Sequence, residues 1–493
     1  MDYDVIIIGA GLGGLVCANI LAEKGFHVAI FEKKAAVGGC CTSFKRRGFT
    51  FDLSVQSIGG CRAGGRVWRL LGSLGLRDRI ELLPLDRARE YHFPDRTIIQ
   101  YAELNTHIEY LASLFPREQA GIKKIYQVYR SLAAEIDRFP HTLSWFDPSH
   151  VEREFPSIFQ YREQTLQELL DAFIQDPVLK VILGVRSSYT LLPPSQLSVI
   201  AMASLEMSYL QEGVAVLQGK MEDLPLLLAE NLTQRGGTLY PRHEVKKIIV
   251  TGGKAIGVQI KGGQTATARA VISNADATTT FLQMIGEDSL PPGWSKRLKG
   301  MRPSFSYFIT YLGVEGQPAL SCSNNEVFPQ YDLEQEYRSL AAGEIPAASS
   351  YYLLAPSLVN PSHAPQGYST LCLSYKAPYH LTGGWDEGAK KTLVEQLLSQ
   401  AADMLPDLRR RVVVQVSSTP LTIERMTGNR WGAAYGWAQI PRQAGLYRLS
   451  RVAPIAGLYL AGHWTAPGGG VAAAMASGEI TAELIGNRLR EEQ

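Results

Sequence analysis

A chain of 493 residues, 45% of them apolar, can bury a large core and has the length of two or three domains. Its 49 basic and 47 acidic side chains leave a net charge of +2, and no basic run is longer than three residues, as at Lys45-Arg46-Arg47, too short to suggest nucleic-acid binding. The six cysteines show no C-x-x-C or zinc spacing, no signal peptide is visible, and no apolar stretch reaches membrane-spanning length, which together point to reduced thiols in a cytoplasmic protein.

The first elements in the chain are strand, glycine turn, helix and strand. Residues 5–8 form a continuous β-branched run, the pattern of a parallel strand buried on both faces. Gly9, Gly11 and Gly14 then fit G-x-G-x-x-G, where the first glycine permits the turn, the second lets a pyrophosphate approach and the third lets helix and strand pack closely. The helix N-terminus offers free N–H groups and a positive dipole end. A second apolar strand over residues 27–31 ends at Glu32, placed to accept both hydroxyls of an adenosine ribose and to repel a 2′-phosphate. The ligand is therefore FAD or NAD(H), and its expected contacts here are Gly9, Gly11, Leu12, Gly13, Gly14, Glu32 and Lys33.

A glycine pair, Gly38-Gly39, follows shortly after the ribose carboxylate, as a loop lying close over a cofactor requires, although an ordinary turn has the same composition. Residues 48–52, Gly-Phe-Thr-Phe-Asp, read as a turn and a short strand. The run E-x-x-x-x-x-G-G-x-x-x-S followed by G-F-x-F-D, behind the N-terminal glycine motif, resembles the flavin amine oxidase and phytoene desaturase superfamily. The resemblance implies that Gly39 and Cys40 lie against FAD. Family members usually carry Arg where Cys40 stands, and Gly-Pro where this chain has Ser54-Val55.

Helical spacing returns at Val67, Leu70, Leu71 and Leu74, with Gly75 just past the end. Residues 89–101 read as a hairpin turning at Pro94-Asp95, and residues 106–114 and 119–136 as helices separated by Pro116. Pro193-Pro194-Ser195 is expected to start an apolar helix carrying Val199, Met202, Ala203, Leu205, Met207 and Leu210. Helix-packing core is the favoured reading; a surface for a long lipophilic ligand or a membrane is the other. From residue 218 a helix ending at Gly236-Gly237 leads into a β-meander with turns at Gly252-Gly253 and Gly262-Gly263. The resemblance places the backbone of Val245 at the adenine and matches Ser273-Asn274-Ala275-Asp276 to a run common in bacterial phytoene desaturases; on its own that run reads as a helix N-cap. Residues 301–430 are mixed strand and helix, rich in tyrosine.

The C-terminal stretch is the second strong signal. A strand at 457–461 runs into Gly462-His463-Trp464, and Gly468, Gly469, Gly470 and Val471 open a helix whose N-terminal amides can face an electron-rich ring edge. This stretch resembles the L-Y-L-x-G-x-x-T-x-P-G-x-G-V end of bacterial phytoene desaturases and carotenoid isomerases, a match that carries Gly462, Thr465, Pro467, Gly468, Gly470 and Val471; the expected flavin contacts are Gly462, Gly469, Gly470 and Val471. His463 and Trp464 are the weak candidates for catalysis, with a structural role for the histidine at least as well supported. Trp431, Tyr435 and Trp437 join Trp464 as candidates to line a tunnel, against plain core.

The expected fold class is α/β, a Rossmann-like FAD-binding domain of the GR2 type with a discontinuous mixed α+β substrate domain. The boundaries are 1–80 with 216–300 and 431–493 for the first, and 81–215 with 301–430 for the second. No second G-x-G-x-x-G follows a strand, so FAD is resident and electrons pass to the substrate and to quinone, oxygen or another acceptor. The resemblance implies a lipophilic isoprenoid or polyene substrate whose C–C bonds are desaturated, saturated or isomerised, together with peripheral membrane contact. A flavin amine oxidase and a prenyl-binding, non-enzymatic relative of the Rab GDP-dissociation inhibitors are the alternatives. The second alternative has a degenerate nucleotide site, whereas Glu32 and residues 468–471 are intact here.

Overall fold

The computed structural model describes residues 1–53, 57–140 and 148–492. Ser54 and Val55, singled out above, lie outside them. The β-branched run forms the strand Tyr3–Ile8, in which Val5, Ile6 and Ile7 are fully buried because the sheet is covered on both faces. It pairs in parallel with Val28–Phe31 on one side and Thr265–Ser273 on the other. Thr238–Tyr240 adds to Val28–Phe31, Leu458–Leu460 adds to Thr265–Ser273, and the antiparallel strands Lys254–Ile260 and Val245–Thr251 complete the seven-stranded sheet. The start, middle and end of the chain thus share one sheet.

The helix Leu12–Glu23 is buried along nearly its whole length and packs between Val471–Glu491 and Asp223–Gln234. Small residues set that spacing. A Cβ on Gly478 of the last helix would run into the carbonyl of Gly13, so the two backbones touch. Asn19 ties the other side, donating to the Leu228 carbonyl at 2.9 Å and accepting from Asn231 at 2.8 Å.

The second seven-stranded sheet runs in the order Val412–Ser418, Ser306–Glu315, Tyr368–Ala377, Tyr351–Leu354, Asn324–Val327, Arg87–His92 and Thr97–Tyr101. Its pairs are antiparallel except Asn324–Val327 with Arg87–His92, so the hairpin at 87–101 and the strands after residue 306 belong together. The helix Glu387–Ala401 covers one face through Leu393, Val394 and Leu397, while Phe49 and Phe51 pack on the other against Ile309 and Tyr311. Helices between residues 104 and 210 form a separate apolar layer.

The apolar helix after Pro193 starts later than expected. The helix begins at Val199, not at Pro193, because residues 193–198 are used elsewhere. Leu197 O accepts from Leu166 N at 2.7 Å, and Ser198 N donates to Gln439 O at 2.9 Å. Val199, Met202, Ala203, Met207 and Leu210 are core, and no residue of the helix is exposed. Among the described residues no helix is long and apolar enough to cross a membrane, and Cys17, Cys41, Cys61, Cys322 and Cys372 are free thiols.

Candidate functional site

A cavity of about 1110 Å³ begins at the glycine turn after the first strand and ends among the helices between residues 119 and 210. Of the residues expected to meet a dinucleotide, Gly9, Gly11, Leu12, Gly13, Glu32, Lys33, Gly39, Cys40, Val245, Gly462, Gly469, Gly470 and Val471 line it. Gly14 does not. It faces the strand, where a Cβ would run into the Gly9 carbonyl, which is the packing role its place in the motif implies.

Glu32 is 9% exposed, and both carboxylate oxygens are held by backbone. Ala10 N donates to Oε2 and Lys34 N to Oε1, each at 2.8 Å. These bonds fix the carboxylate while leaving each oxygen a further lone pair for a hydroxyl. Burial lowers the Lys33 pKa, with Lys34 adding to the effect. Burial pushes the Cys40 thiol up to about 11, so this position offers a neutral group to the cavity.

Asn274 was legible as part of a recognised tetrapeptide and of a possible cap, with no role of its own, yet its side chain stands at the centre of the glycine turns. A Cβ on Gly11 would lie 2.7 Å from its Nδ2, and one on Gly13 would lie 2.8 Å from its Oδ1 and 2.7 Å from Gly462 N. The first and last glycine motifs therefore meet around this amide, each with no room for a side chain. The capping reading holds for its neighbour: Asp276 accepts from Thr279 N and Arg430 N, both at 2.9 Å, and burial raises its pKa.

At the C-terminal end, Gly470 has φ +103° and a Cβ there would point into open space, so the start of the 21-residue helix Val471–Glu491 is open to the cavity. Gly469 packs against Tyr435, with a Cβ reaching Tyr435 Cβ at 2.6 Å. His463 lines the cavity; its Nε2 lies 3.2 Å from Asn429 Oδ1, which also accepts from Trp464 Nε1 at 3.1 Å. Sharing that oxygen with an obligate donor makes Nε2 the protonated nitrogen. Burial, with Arg448 adding to it, brings the His463 pKa down to about 3, so the ring is neutral.

Trp464 is displaced from the candidate set. It is 2% exposed and packs edge-on against Trp437 at 4.8 Å in the core, and neither ring reaches the cavity. Trp431 is on the surface, 37% exposed. Of the four expected tunnel aromatics, Tyr435 alone lines the wall. Its companions are Tyr307, Tyr189 and Tyr209. The hydroxyls of Tyr307 and Tyr435 are 3.5 Å apart, those of Tyr189 and Tyr209 are 2.8 Å apart, and the rings of Tyr189 and Tyr435 are 6.1 Å apart. Ile136, Phe139, Ile158, Ile200 and Leu446 continue the chamber as apolar wall. Behind the tyrosines, outside the cavity, lies a buried charge network. Arg186 stacks on the rings of Tyr209 and Tyr189 at 4.3 and 4.5 Å and pairs with Glu206 at 3.4 Å; Arg89 and Lys376 each lie 3.6 Å from Glu326.

The cavity fits a long dinucleotide in several respects: a backbone-held carboxylate, Cβ-free turns and an open helix N-terminus along one wall. Comparisons with known proteins agree. The model of the flavin containing amine oxidoreductase family matches residues 12–486. The chain is 27% identical to a chloroplastic prolycopene isomerase of Daucus carota, over 100% of this chain and 81% of that protein. It is 26% identical to a zeta-carotene-forming phytoene desaturase of Myxococcus xanthus, over 98% and 93%. Among solved structures, cyclohexylamine oxidase from Brevibacterium oxydans superposes with a TM-score of 0.65 at 16% identity, covering 99% of this chain and 100% of that one. The chain belongs to the flavin containing amine oxidoreductase family, and it is an oxidoreductase whose cofactor is FAD.

Proposed function

We propose that this enzyme acts on the C–C bonds of a carotenoid-like polyene, by desaturation or cis–trans isomerisation. FAD is held with its ADP half on Gly9, Gly11, Leu12, Gly13, Glu32, Lys33 and the backbone of Val245. Its flavin half rests on Gly39, Cys40, Gly462, Gly469, Gly470 and Val471. When bound, the flavin supplies the hydride and electron chemistry, and the electrons leave to a quinone, to oxygen or to another acceptor. The tyrosine chamber between the flavin loop and the helical layer holds the polyene, and its largely apolar wall limits water at the reacting bond. The division into an FAD domain (1–80, 216–300, 431–493) and a substrate domain (81–215, 301–430) follows from this reading.

The chamber itself carries the proposal: Tyr189, Tyr209, Tyr307 and Tyr435 with Ile136, Ile158, Ile200 and Leu446 offer flat rings and aliphatic surface, which suit a planar hydrocarbon. The names of the similar carotenoid enzymes support it. Amine oxidation is the second reading, favoured by the aromatic wall beside Gly469. Against it, one face of Tyr189 and of Tyr209 is already occupied by the Arg186 guanidinium, so these rings are poor partners for an ammonium ion. Expression in cells that make phytoene or poly-cis-lycopene, followed by pigment separation, tests the proposal. A changed pigment profile is expected; unchanged profiles across several such hosts would overturn it.

A further inference from the structure

Arg448 is a buried cation with an unusual set of partners. It is 4% exposed and lines the cavity beside the C-terminal glycine loop. Its Nη1 donates to Trp437 O at 2.7 Å and to Gln443 O and Gln439 Oε1 at 3.4 Å. Nη2 donates to His463 O at 2.6 Å and to Tyr435 O at 3.5 Å, and Nε to Thr465 O at 3.3 Å. Every acceptor is neutral. Among the described residues no carboxylate pairs with it, in contrast to Arg89 and Arg186, each of which has a buried glutamate.

A buried charge without a counter-ion is costly, and evolutionarily cheaper ways exist to tie three loops together; such a charge is expected where an anion will be met. Its N–H groups are all engaged by the loops, so the charge acts through space, in surroundings that screen it poorly. Burial accordingly lowers the Arg448 pKa to about 9, which still leaves it a cation at neutral pH. It stands where the start of the helix Val471–Glu491 opens on the cavity, and a Cβ on Gly468 would approach its Nη2 to 3.5 Å. The two positive sources reinforce one another on the wall that carries Gly470.

We propose that Arg448 is a positioning residue whose fixed positive charge favours the reduced, anionic flavin over the oxidised, neutral one. It would set the flavin potential in addition to holding the loop. This rests on the FAD reading above. The step it biases is uptake of two electrons and one proton by the flavin, leaving one negative charge on the ring system.

The test is the flavin midpoint potential of the holoprotein at pH 7, measured by dye equilibration. The key variant is Gln439→Glu, which places a carboxylate against the Arg448 guanidinium while retaining all its loop contacts. It should lower the ratio of reduced to oxidised flavin at a set potential tenfold or more, a shift of about 30 mV for a two-electron couple. Gln439→Met, which loses the same amide without adding charge, should stay within twofold of the parent. Arg448→Met should fall as Gln439→Glu does, and Arg448→Lys should recover the parent potential even where its thermal stability is reduced. Should Arg448→Met fail to fold, the Gln439 pair decides alone. A Gln439→Glu potential equal to that of Gln439→Met would overturn the proposal, as would equal shifts in Arg448→Lys and Arg448→Met. Parent protein that neither contains nor takes up flavin would instead overturn the FAD reading.

Discussion

Where the cavity meets Gly9, Gly11, Gly13 and Gly470 its wall is backbone, and where it meets Tyr189, Tyr209, Tyr307 and Tyr435 its wall is side chain. The nucleotide end is made by removing atoms: turns without Cβ groups, an open helix end, and one carboxylate anchored by two amides. The chamber end is made by assembling rings from segments far apart in sequence, with a charge network behind them whose members are almost wholly buried. Different failures follow. A change at the nucleotide end costs cofactor, whereas a change behind the chamber costs folding first and substrate second.

The largest expected effect is at the chamber end. Glu326→Ala leaves Arg89 and Lys376, 4% and 1% exposed, without their shared partner. Removing one member of a buried pair costs about 3–5 kcal/mol. Denaturant unfolding should show that loss, while FAD per folded molecule stays near one. Gly14→Ala is the converse. Its Cβ would meet the Gly9 carbonyl and force helix and strand apart, for a cost of about 1–3 kcal/mol. Flavin absorbance per protein should fall sharply even at temperatures where the chain stays folded. Glu32→Ala frees two amides and removes the proposed ribose acceptor. Hydrogen bonds to a charged group contribute about 1.5–3 kcal/mol, so FAD affinity should drop about tenfold to a hundredfold with little change in polyene binding to protein saturated with FAD.

Acid should expose a smaller effect. The His463 ring is neutral in the folded protein down to about pH 3, and buried His107 down to about 4, while both protonate near 6.5 when unfolded. Their contribution is complete above about pH 6.5 and is lost progressively as the pH falls, because the unfolded chain then binds more protons. Stability measured from pH 7 to pH 4 should decline, and His463→Gln should flatten that decline. The smallest effect is expected for Tyr307→Phe, which removes one long hydroxyl contact and costs at most about 1 kcal/mol. If polyene binding survives it and fails in Tyr435→Ala, ring surface and not the hydroxyl pair holds the ligand.

The same contrast explains what the sequence made legible. Glycine at a turn reports a local steric demand, so Gly9, Gly11, Gly14 and the run at 468–470 announced their positions, and Glu32 was located by its place at a strand end. The hairpin at Pro94-Asp95 and the meander glycines were readable for the same reason. Tyr189, Tyr209 and Arg448 carry no local signal; Tyr189 meets Tyr435 from a distant part of the chain, and Arg448 matters through the carbonyls it gathers from residues 435–443 and 463–465. Aromatic composition alone misplaced Trp437 and Trp464, since a large ring near a glycine loop is as well suited to core as to tunnel. Asn274 sat inside a recognised tetrapeptide, but only the folded arrangement shows it between Gly11, Gly13 and Gly462.

In the proposed enzyme one cavity holds FAD by backbone and a polyene by tyrosine rings next to it. The direct measurement is an anaerobic titration of the FAD-loaded protein with phytoene or poly-cis-lycopene in detergent micelles, following the flavin absorbance bands, alongside benzylamine and putrescine. The account predicts that a polyene perturbs or reduces the flavin, that the response is lost in Tyr435→Ala with FAD still bound, and that the amines leave the spectrum unchanged. Reduction by an amine with no response to any polyene would contradict it.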